Sequence, residues 1–258
     1  MRSARLIVFR VVSVLFAAGS FGGLLGIGLV FGWYDQTDGG IHRVHDIGFG
    51  VLYGVVLTTA FIALAWRPDR EATAFFQVIA AAVGGMIATA VSLDGSYLFF
   101  VVIVAVAAVV LFALHPTRSA LLHFEANPSA LLGVLAVAGA VPLVTVGLTM
   151  ARLQRTGLPV DPHVKNDHWA NMAAMAFVLV LTGLLAAVRF RGWRITAWSA
   201  GLGVVVYGLA SIVFRHFPGT NVPYPGSEGL GWGLLAVIGG AAFIGVAEWE
   251  ELRARRAP

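Results

Sequence analysis

Long stretches of apolar residues, almost free of charge, constrain the fold of this chain more than any other feature. Each stretch is about twenty residues long, and a helix rising about 1.5 Å per residue needs that length to cross a hydrocarbon layer of about 30 Å. Most stretches lack the polar face that a surface helix of a soluble domain requires. The sequence therefore predicts an all-α integral membrane protein, with a single transmembrane domain over residues 1–258 and eight transmembrane helices. The helices are expected at about 6–33, 46–66, 74–93, 97–114, 130–150, 169–188, 195–214 and 230–248.

The composition agrees with a membrane protein and excludes several kinds of chemistry. Only 12% of the residues are charged and the mean hydropathy is +0.85, whereas a soluble domain carries about 25% charged residues. The chain has no cysteine, which excludes disulfides, thiolate–metal centres, iron–sulfur clusters and a cysteine nucleophile. The formal charge of +4 does not predict nucleic-acid binding, because the basic residues are scattered at segment ends.

The distribution of basic residues predicts the orientation. Cytoplasmic loops carry an excess of Arg and Lys, and here one set of segment ends holds twelve basic residues while the other holds five. This imbalance puts the N- and C-termini in the cytoplasm, as an even number of spans requires, and a bacterial plasma membrane is the expected location. Residues 1–31 are interpreted as the first span and not as a cleaved signal peptide, because Arg10 interrupts an apolar stretch that is too long for a signal core.

A weak internal repeat is visible in the chain. Sliding the sequence by 123 residues lays the first four spans over the last four, so that His45 falls on His168 and Asp94 falls beside His216. Each half also has a long outer loop after its first span. The pattern predicts a parallel 4+4 repeat, with pseudo-repeats 1–118 and 128–250 related by an axis along the membrane normal.

Polar chemistry is concentrated at the end of the bundle that is predicted to face outward. Five of the seven histidines fall there: His42, His45, His163, His168 and His216. The centres of the eight predicted spans contain no Asp, Glu, Lys, Arg or His. Coupled transporters usually place ionisable groups near the midplane, so ion-coupled transport is disfavoured.

The segment from His42 to Asp46 is the first candidate for a binding site. His42 and His45 are three residues apart and share a face if a helix begins near them. Two imidazoles at that spacing can bind one metal ion, with Asp46 or Asp38 as a ligand or as an orienting carboxylate. The alternative interpretation is that the histidines anchor the helix at the interface and that Asp46 lies favourably near a helix N-terminus.

The segment 161–168 is the second candidate, because it holds two His, two Asp and one Asn in eight residues. His163 and His168 are the possible metal ligands. Asp167 directly precedes the sixth span, so it is either part of the site or the N-cap of that helix.

The topology gathers these residues into one predicted metal site. The expected ligands are His45, His168, His216 and Asp94, with His42, His163, Asp46 and Asp167 nearby. Three imidazoles and a carboxylate suit a divalent transition metal such as zinc. A zinc-bound water has its pKa lowered to about 7 and can attack a carbonyl or phosphoryl group, here of a lipid-soluble substrate.

Two other functions remain open from the sequence. His45 and His168 could be axial ligands of a b-type haem in an electron-transfer subunit linked to haem or quinone. Alternatively, the chain is a non-catalytic subunit of a larger complex. Its expected partners are the lipid bilayer and either another membrane protein or further copies of the chain in a homo-oligomer.

Overall fold

The computed structural model describes residues 2–23, 26–34, 40–121, 125–158, 160–217 and 219–256. Within these ranges the protein is helical and contains no β-strand. The long helices are α1 (Arg2–Ala18), α2 (Arg43–Trp66), α3 (Ala72–Ser92), α4 (Leu98–Leu114), α5 (Ala130–Thr156), α6 (His168–Val188), α7 (Trp193–Val213) and α8 (Gly229–Arg256). Short helices at Gly28–Phe31, Arg118–Leu121 and Pro162–Lys165 lie in the connections.

Seven of the described helices are long and apolar enough to cross a membrane. They are Ala4–Gly23, which extends α1 by a wide π-helical turn, and α2, α3, α5, α6, α7 and α8. Helix α4 is equally apolar, but its 17 residues make it about 25 Å long against a layer of about 30 Å. The all-helical prediction is therefore confirmed and the long helices fit a membrane protein. The count of eight spans, the orientation and the repeat stay predictions.

The first helix is shorter than the predicted segment 6–33. Glycines at positions 19, 22 and 23 lower the helix propensity near its end, and the described helical stretch runs to Gly23. Residues 26–34 then run beside α2, where a β-carbon on Gly54 would lie 2.7 Å from the carbonyl oxygen of Gly26. Glycine at both positions permits this close backbone approach.

Helices α2 and α6 are the most enclosed of the bundle. Their most apolar windows are 83% and 72% buried, against 22% for α1 and 28% for both α5 and α8. The peripheral helices expose large apolar side chains, among them Val109, Val141 and Ile238. Such surfaces favour aggregation in water but are compatible with lipid. Because α2 and α6 also carry His45 and His168, the bundle encloses the helices that bear the candidate site.

The connections between helices gather at two ends of the bundle. One end, here called the histidine end, consists of segments 40–45, 93–97 and 160–168 and the described part of segment 214–228, which is 214–217 and 219–228. Two hydrogen bonds tie it together: the Ser96 hydroxyl lies 2.6 Å from a carboxylate oxygen of Asp167, and Tyr224 donates to the Gly40 carbonyl over 2.9 Å.

The opposite end, here called the arginine end, consists of segments 67–71, 115–121, 125–129 and 189–192, together with the N-terminal end of α1 and the C-terminal end of α8. Thr73 donates to the Arg191 carbonyl there over 2.8 Å, and Nε2 of His115 lies 3.2 Å from the Pro68 carbonyl oxygen. Since Ser96 precedes α4 and His115 follows it, α4 runs from one end of the bundle to the other despite its shorter length.

Candidate metal centre

Three histidines at the histidine end form a group that could hold a metal ion. One ring nitrogen from each of His42, His163 and His168 lies within 4.8 Å of the other two. His42 immediately precedes α2, His163 lies on the short helix Pro162–Lys165, and His168 begins α6. Nitrogen ligands at about 2.0–2.1 Å from a tetrahedral zinc ion are about 3.3 Å apart. Ring movements on the order of 1 Å would bring the three nitrogens to that spacing.

His45 packs against this group from the first turn of α2. Its ring centroid lies 4.6 Å from that of His163 and 5.3 Å from that of His168. The side chain is fully buried, and neither ring nitrogen has a hydrogen-bond partner within the described residues. Gly226 covers it from the loop after α7, where a β-carbon would lie 3.5 Å from Nε2 of His45. Four imidazoles from two segments of the chain, 40–45 and 160–168, therefore converge in one enclosed place.

Asp161 fixes the orientation of His163. As N-cap of the short helix, its Oδ1 accepts hydrogen bonds of 2.9 Å from the backbone N–H and from ring Nδ1 of His163. Partial burial raises the pKa of Asp161, but the two hydrogen bonds together with the electrostatic interaction with His163 and His168 outweigh burial, so the pKa lies below its ordinary value. In the neutral ring, an ionised Asp161 keeps the proton on Nδ1, so that the lone pair is on Nε2, which is buried and has no hydrogen-bond partner among the described residues.

A pair of carboxyl groups lies beside the histidines. The Ser96 hydroxyl is 2.6 Å from oxygens of both Asp94 and Asp167, and buried Gln154 donates to Asp94 over 2.7 Å. Burial raises the pKa of Asp94, but the bonds from Ser96 and Gln154 outweigh it and leave the pKa lowered. Burial, together with the negative charge of Asp94, leaves the pKa of Asp167 raised. Asp94 is therefore the carboxyl group of the pair that ionises first.

Asp167 occupies the N-cap position of α6 without capping it. Its backbone is left-handed, with φ of 57°, and its side chain makes no cap hydrogen bond. The carboxylate turns to Ser96 instead. A left-handed backbone is uncommon outside glycine, although Asp adopts it more readily than most residues. Asp167 therefore lies at the N-cap position, as the capping alternative expects, but its carboxylate bonds to Ser96 and not to the first turn of α6.

The structure separates the predicted ligands into two sets. It brings together His168 and His45 with two residues that were expected only nearby, His42 and His163. The group of three nitrogens that could hold a metal ion contains neither His216 nor Asp94. Asp46 lies half-buried in the first turn of α2, also outside the group, and Asp38 falls outside the described residues.

The fold of the 214–228 segment explains the position of His216. Phe217 and Val222 close a turn through a 3.0 Å backbone hydrogen bond, and His216 pairs across it with Pro223. His216 lies exposed at the base of this turn, while Gly226 reaches the cluster. Sequence spacing cannot show which residue of such a loop points inward, because the path of the backbone through the turn determines the direction of each side chain.

Several buried polar residues near the centre are not part of the sequence prediction. Gln154 joins α5 to Asp94 and to the Val164 carbonyl. Below His168, Tyr97 donates to Asn171 over 3.2 Å and its hydroxyl lies 3.0 Å from that of Tyr53. An amide within an apolar span is itself a signal, since an unpaired polar group is costly there. A search for ionisable groups alone passes over it.

Fold and site together define a helical bundle that fits a membrane protein and carries a buried histidine cluster that could hold a metal ion. Comparisons with protein families, with curated proteins and with solved structures find no match to this chain. The function can therefore be inferred only from the residues themselves.

Proposed function

We propose that this protein is a multi-pass protein of a bacterial plasma membrane that binds one divalent transition-metal ion, zinc-like in its ligand preference. The ligands are His42, His163 and His168, at the end of the bundle that faces away from the cytoplasm. His45 forms the inner wall of the site. The proposal keeps the chemistry that the sequence predicts and changes its ligands, since His216 and Asp94 lie outside the group of ligating nitrogens.

The observation that carries the proposal is the pairing of Asp161 with His163. Metal-binding histidines typically donate the N–H of the non-ligating nitrogen to a carboxylate or carbonyl, which fixes the tautomer. Asp161 accepts such a bond from Nδ1 of His163, and the buried Nε2 is left with a lone pair. A buried imidazole nitrogen without a hydrogen bond is costly, and a metal ion would satisfy it.

The finer proposal concerns the chemistry of the bound ion. Three protein ligands leave a fourth position for water, the arrangement typical of catalytic zinc, whereas structural zinc has four protein ligands. The ion would lower the pKa of a bound water to about 7 and supply a nucleophile for a carbonyl or phosphoryl group. A site at the end of a lipid-embedded bundle suits a lipid-soluble substrate.

The geometry gives less support to a b-type haem. A haem held by His45 and His168 would need its flat ring between the two imidazoles. The ring of His163 lies 4.6 Å from His45 and 5.8 Å from His168, and His42 lies 4.8 Å from His168. Imidazoles in mutual contact favour a single bare ion. The alternative that the chain is a non-catalytic partner subunit is also a proposal. Metal analysis tests it, because that role does not require a bound ion.

Elemental analysis of the purified protein tests the proposal. Protein stripped with a chelator and reloaded with Zn²⁺ should retain about one ion per chain, in keeping with one tetrahedral site. His163→Ala and His168→Ala should lose it, whereas His216→Ala should retain it, because His216 is exposed and outside the group. Wild-type protein that retains no metal, or loss of metal in the His216 variant alone, would contradict the proposed ligands.

A second experiment separates a catalytic from a structural ion. His45→Ala should retain the ion if three histidines hold it, and should lose it if His45 is a fourth ligand. For catalysis, the metal-loaded protein in vesicles is offered fluorogenic long-chain esters and phosphodiesters. Hydrolysis that stops on chelation and returns with Zn²⁺ supports the water-activating centre. Full metal occupancy without hydrolysis of any of these probes argues against it.

A further inference from the structure

The arginine end contains a large cavity lined by basic and aromatic side chains, far along the bundle from the histidines. It lies between the end of α2 and the start of α7 and has a volume of about 890 Å³, within the usual range of about 300–1,000 Å³ for ligand sites. Its lining includes Arg67, Arg70, Arg191, Trp66 and Trp198. This chemistry differs from that of the metal centre and calls for a different ligand.

The positive charge of the cavity is only partly balanced. Arg194 is held by Glu248 and Glu251 by Arg255, so these four groups neutralise one another in pairs. Within the part of the chain that the structure describes, none of the other three lining arginines, at positions 67, 70 and 191, forms an ion pair.

Glu71 is the remaining acidic group in the lining. It is half-buried and lies against the Gly192 backbone, near enough to the Arg67 guanidinium to interact electrostatically. Three guanidinium groups against one carboxyl leave a net positive cavity. The first turn of α7 also lines it, and the N-terminal end of a helix attracts anions.

The walls of the cavity are apolar and reach into the bundle. Trp66 and Trp198 are 65% and 40% exposed, and the Arg67 guanidinium lies 4.6 Å from the centre of the Trp66 ring. Ala63 and Leu202 line the wall. Tryptophan is enriched at the membrane interface, where one side of the ring meets lipid and the other meets water. A ligand that fills this space would have an anionic head and an apolar body.

We propose that this cavity binds the phosphate of an anionic membrane lipid, with Arg67, Arg70 and Arg191 as the headgroup ligands and the tryptophans beside the acyl chains. Arginine suits this role because its guanidinium matches phosphate oxygens in a bidentate manner. Basic pockets between helices at the cytoplasmic side are typical sites for anionic headgroups. A free phosphate ion shares the headgroup chemistry but would gain nothing from the apolar walls.

Lipid add-back to delipidated, detergent-purified protein tests this inference. Phosphatidylglycerol, phosphatidylcholine, inorganic phosphate and glycerol phosphate are added separately, and binding is followed by native mass spectrometry and thermal shift. Phosphatidylglycerol should bind and raise the melting temperature, whereas the zwitterionic lipid and the soluble phosphates should have little effect. Each arginine near an anionic headgroup contributes about fivefold in affinity, so Arg67→Gln, Arg70→Gln and Arg191→Gln combined should weaken binding by on the order of a hundredfold.

The controls make each outcome decisive. Arg118→Gln removes an exposed arginine from the same end of the bundle but outside the cavity, and it should bind the lipid as wild type does. The corresponding triple Lys variant keeps the charge, so it checks that loss of binding is not loss of folding. Equal binding of the two lipids, or unchanged binding by the triple Gln variant, would overturn the inference. A stabilisation by inorganic phosphate equal to that by the lipid would overturn the lipid assignment in favour of a soluble anion.

Discussion

Asp161 is the residue through which the short helix before α6 controls the histidine cluster. One carboxylate oxygen accepts both the cap hydrogen bond from the backbone of His163 and the bond from its ring. The same contact therefore begins the helix and selects the tautomer that leaves Nε2 free to bind. A change at Asp161 should act on metal affinity without removing any ligand.

Substitution of Asp161 separates charge from geometry. Asp161→Ala should weaken metal binding by about 10–100-fold, the usual effect of losing a carboxylate that orients a ligand. Asp161→Asn should weaken it less, because an amide oxygen can still accept both bonds and Asn is a good N-cap. Zn²⁺ titration against a competing chelator gives both affinities. Asp69→Ala, at the arginine end, should leave the affinity unchanged, and an equal loss there would point to a general effect on stability.

His115 gives the arginine end a dependence on pH. Its Nδ1 accepts a hydrogen bond of 3.2 Å from the Thr117 backbone, which leaves Nε2 to donate to the Pro68 carbonyl. Burial lowers the pKa of His115 below its ordinary value of 6.5, although the bond to Pro68 works against the shift. The unfolded chain then binds more protons than the folded protein between the lowered pKa and 6.5, so stability rises with pH across that window.

Melting temperatures across the pH range check this sign. The contribution of His115 should be complete above about pH 6.5 and should be lost as the pH falls towards the lowered folded-state pKa. Between pH 7.5 and 5.5 the melting temperature of His115→Gln should fall by less than that of the wild-type protein. His216→Gln removes an exposed histidine and should keep the wild-type slope. Identical slopes for wild type and His115→Gln would show that the ring is not held neutral.

At the scale of helices, close backbone approach between α7 and α8 fixes their crossing. A β-carbon on Gly240 would lie 2.6 Å from the Gly201 carbonyl oxygen and 2.9 Å from a methyl carbon of Val205, whereas one on Gly239 would meet nothing within 4 Å. Small residues at such contacts are typical of helix pairs in membranes, where dispersion contacts drive association. Adjacent glycines in one helix therefore have opposite roles.

Alanine at these two positions is a matched pair of substitutions. Gly240→Ala should destabilise the protein by about 1–3 kcal/mol, because the methyl group forces α7 and α8 apart. Gly239→Ala should be neutral or should stabilise by up to about 1 kcal/mol through helix propensity. Thermal unfolding in detergent compares the two variants. A larger loss for Gly239→Ala would mean that the helices meet on a different face.

At the scale of the whole molecule, the two ends of the bundle differ in chemistry. The histidine end holds the cluster of imidazoles, whereas the arginine end holds most of the basic residues and the arginine-lined cavity. The positive-inside rule predicts that the arginine end faces the cytoplasm. The proposed metal centre and the proposed lipid site would face opposite sides of the membrane.

Cysteine labelling tests this orientation and the number of spans. The native chain has no cysteine, so single substitutions at the exposed positions Gly95, Val160 and Arg118 report without background. A membrane-impermeant maleimide should label Gly95→Cys and Val160→Cys in intact cells and Arg118→Cys only after permeabilisation. Reversed accessibility would invert the topology. Equal accessibility of positions 95 and 118 would show that α4 does not cross the membrane.

Much of the fold can be read from the sequence because the hydrocarbon layer imposes a length and a polarity on every span. The bounds of α2 to α7 lie within a few residues of the predicted segments except at the end of α5, which continues to Thr156. The first segment differs more, because its glycines allow the helix to end early. The grouping of histidines seen in the candidate site could be predicted only in part, since helix periodicity indicates shared faces but does not give the paths of loops.

The sequence by itself determined that the chain is all-helical, that its helices are long enough to span a membrane, and that one end of the bundle is rich in histidine. Apolar length and residue type are local properties, and they need no knowledge of neighbours. Only the tertiary structure decided that His42 and His163 join His168, that Gly226 rather than His216 closes over His45, and that Asp161 orients the site. These contacts depend on distances between segments that are far apart in the chain. The packing of α2 against α6 and the turns of the connecting loops determine those distances.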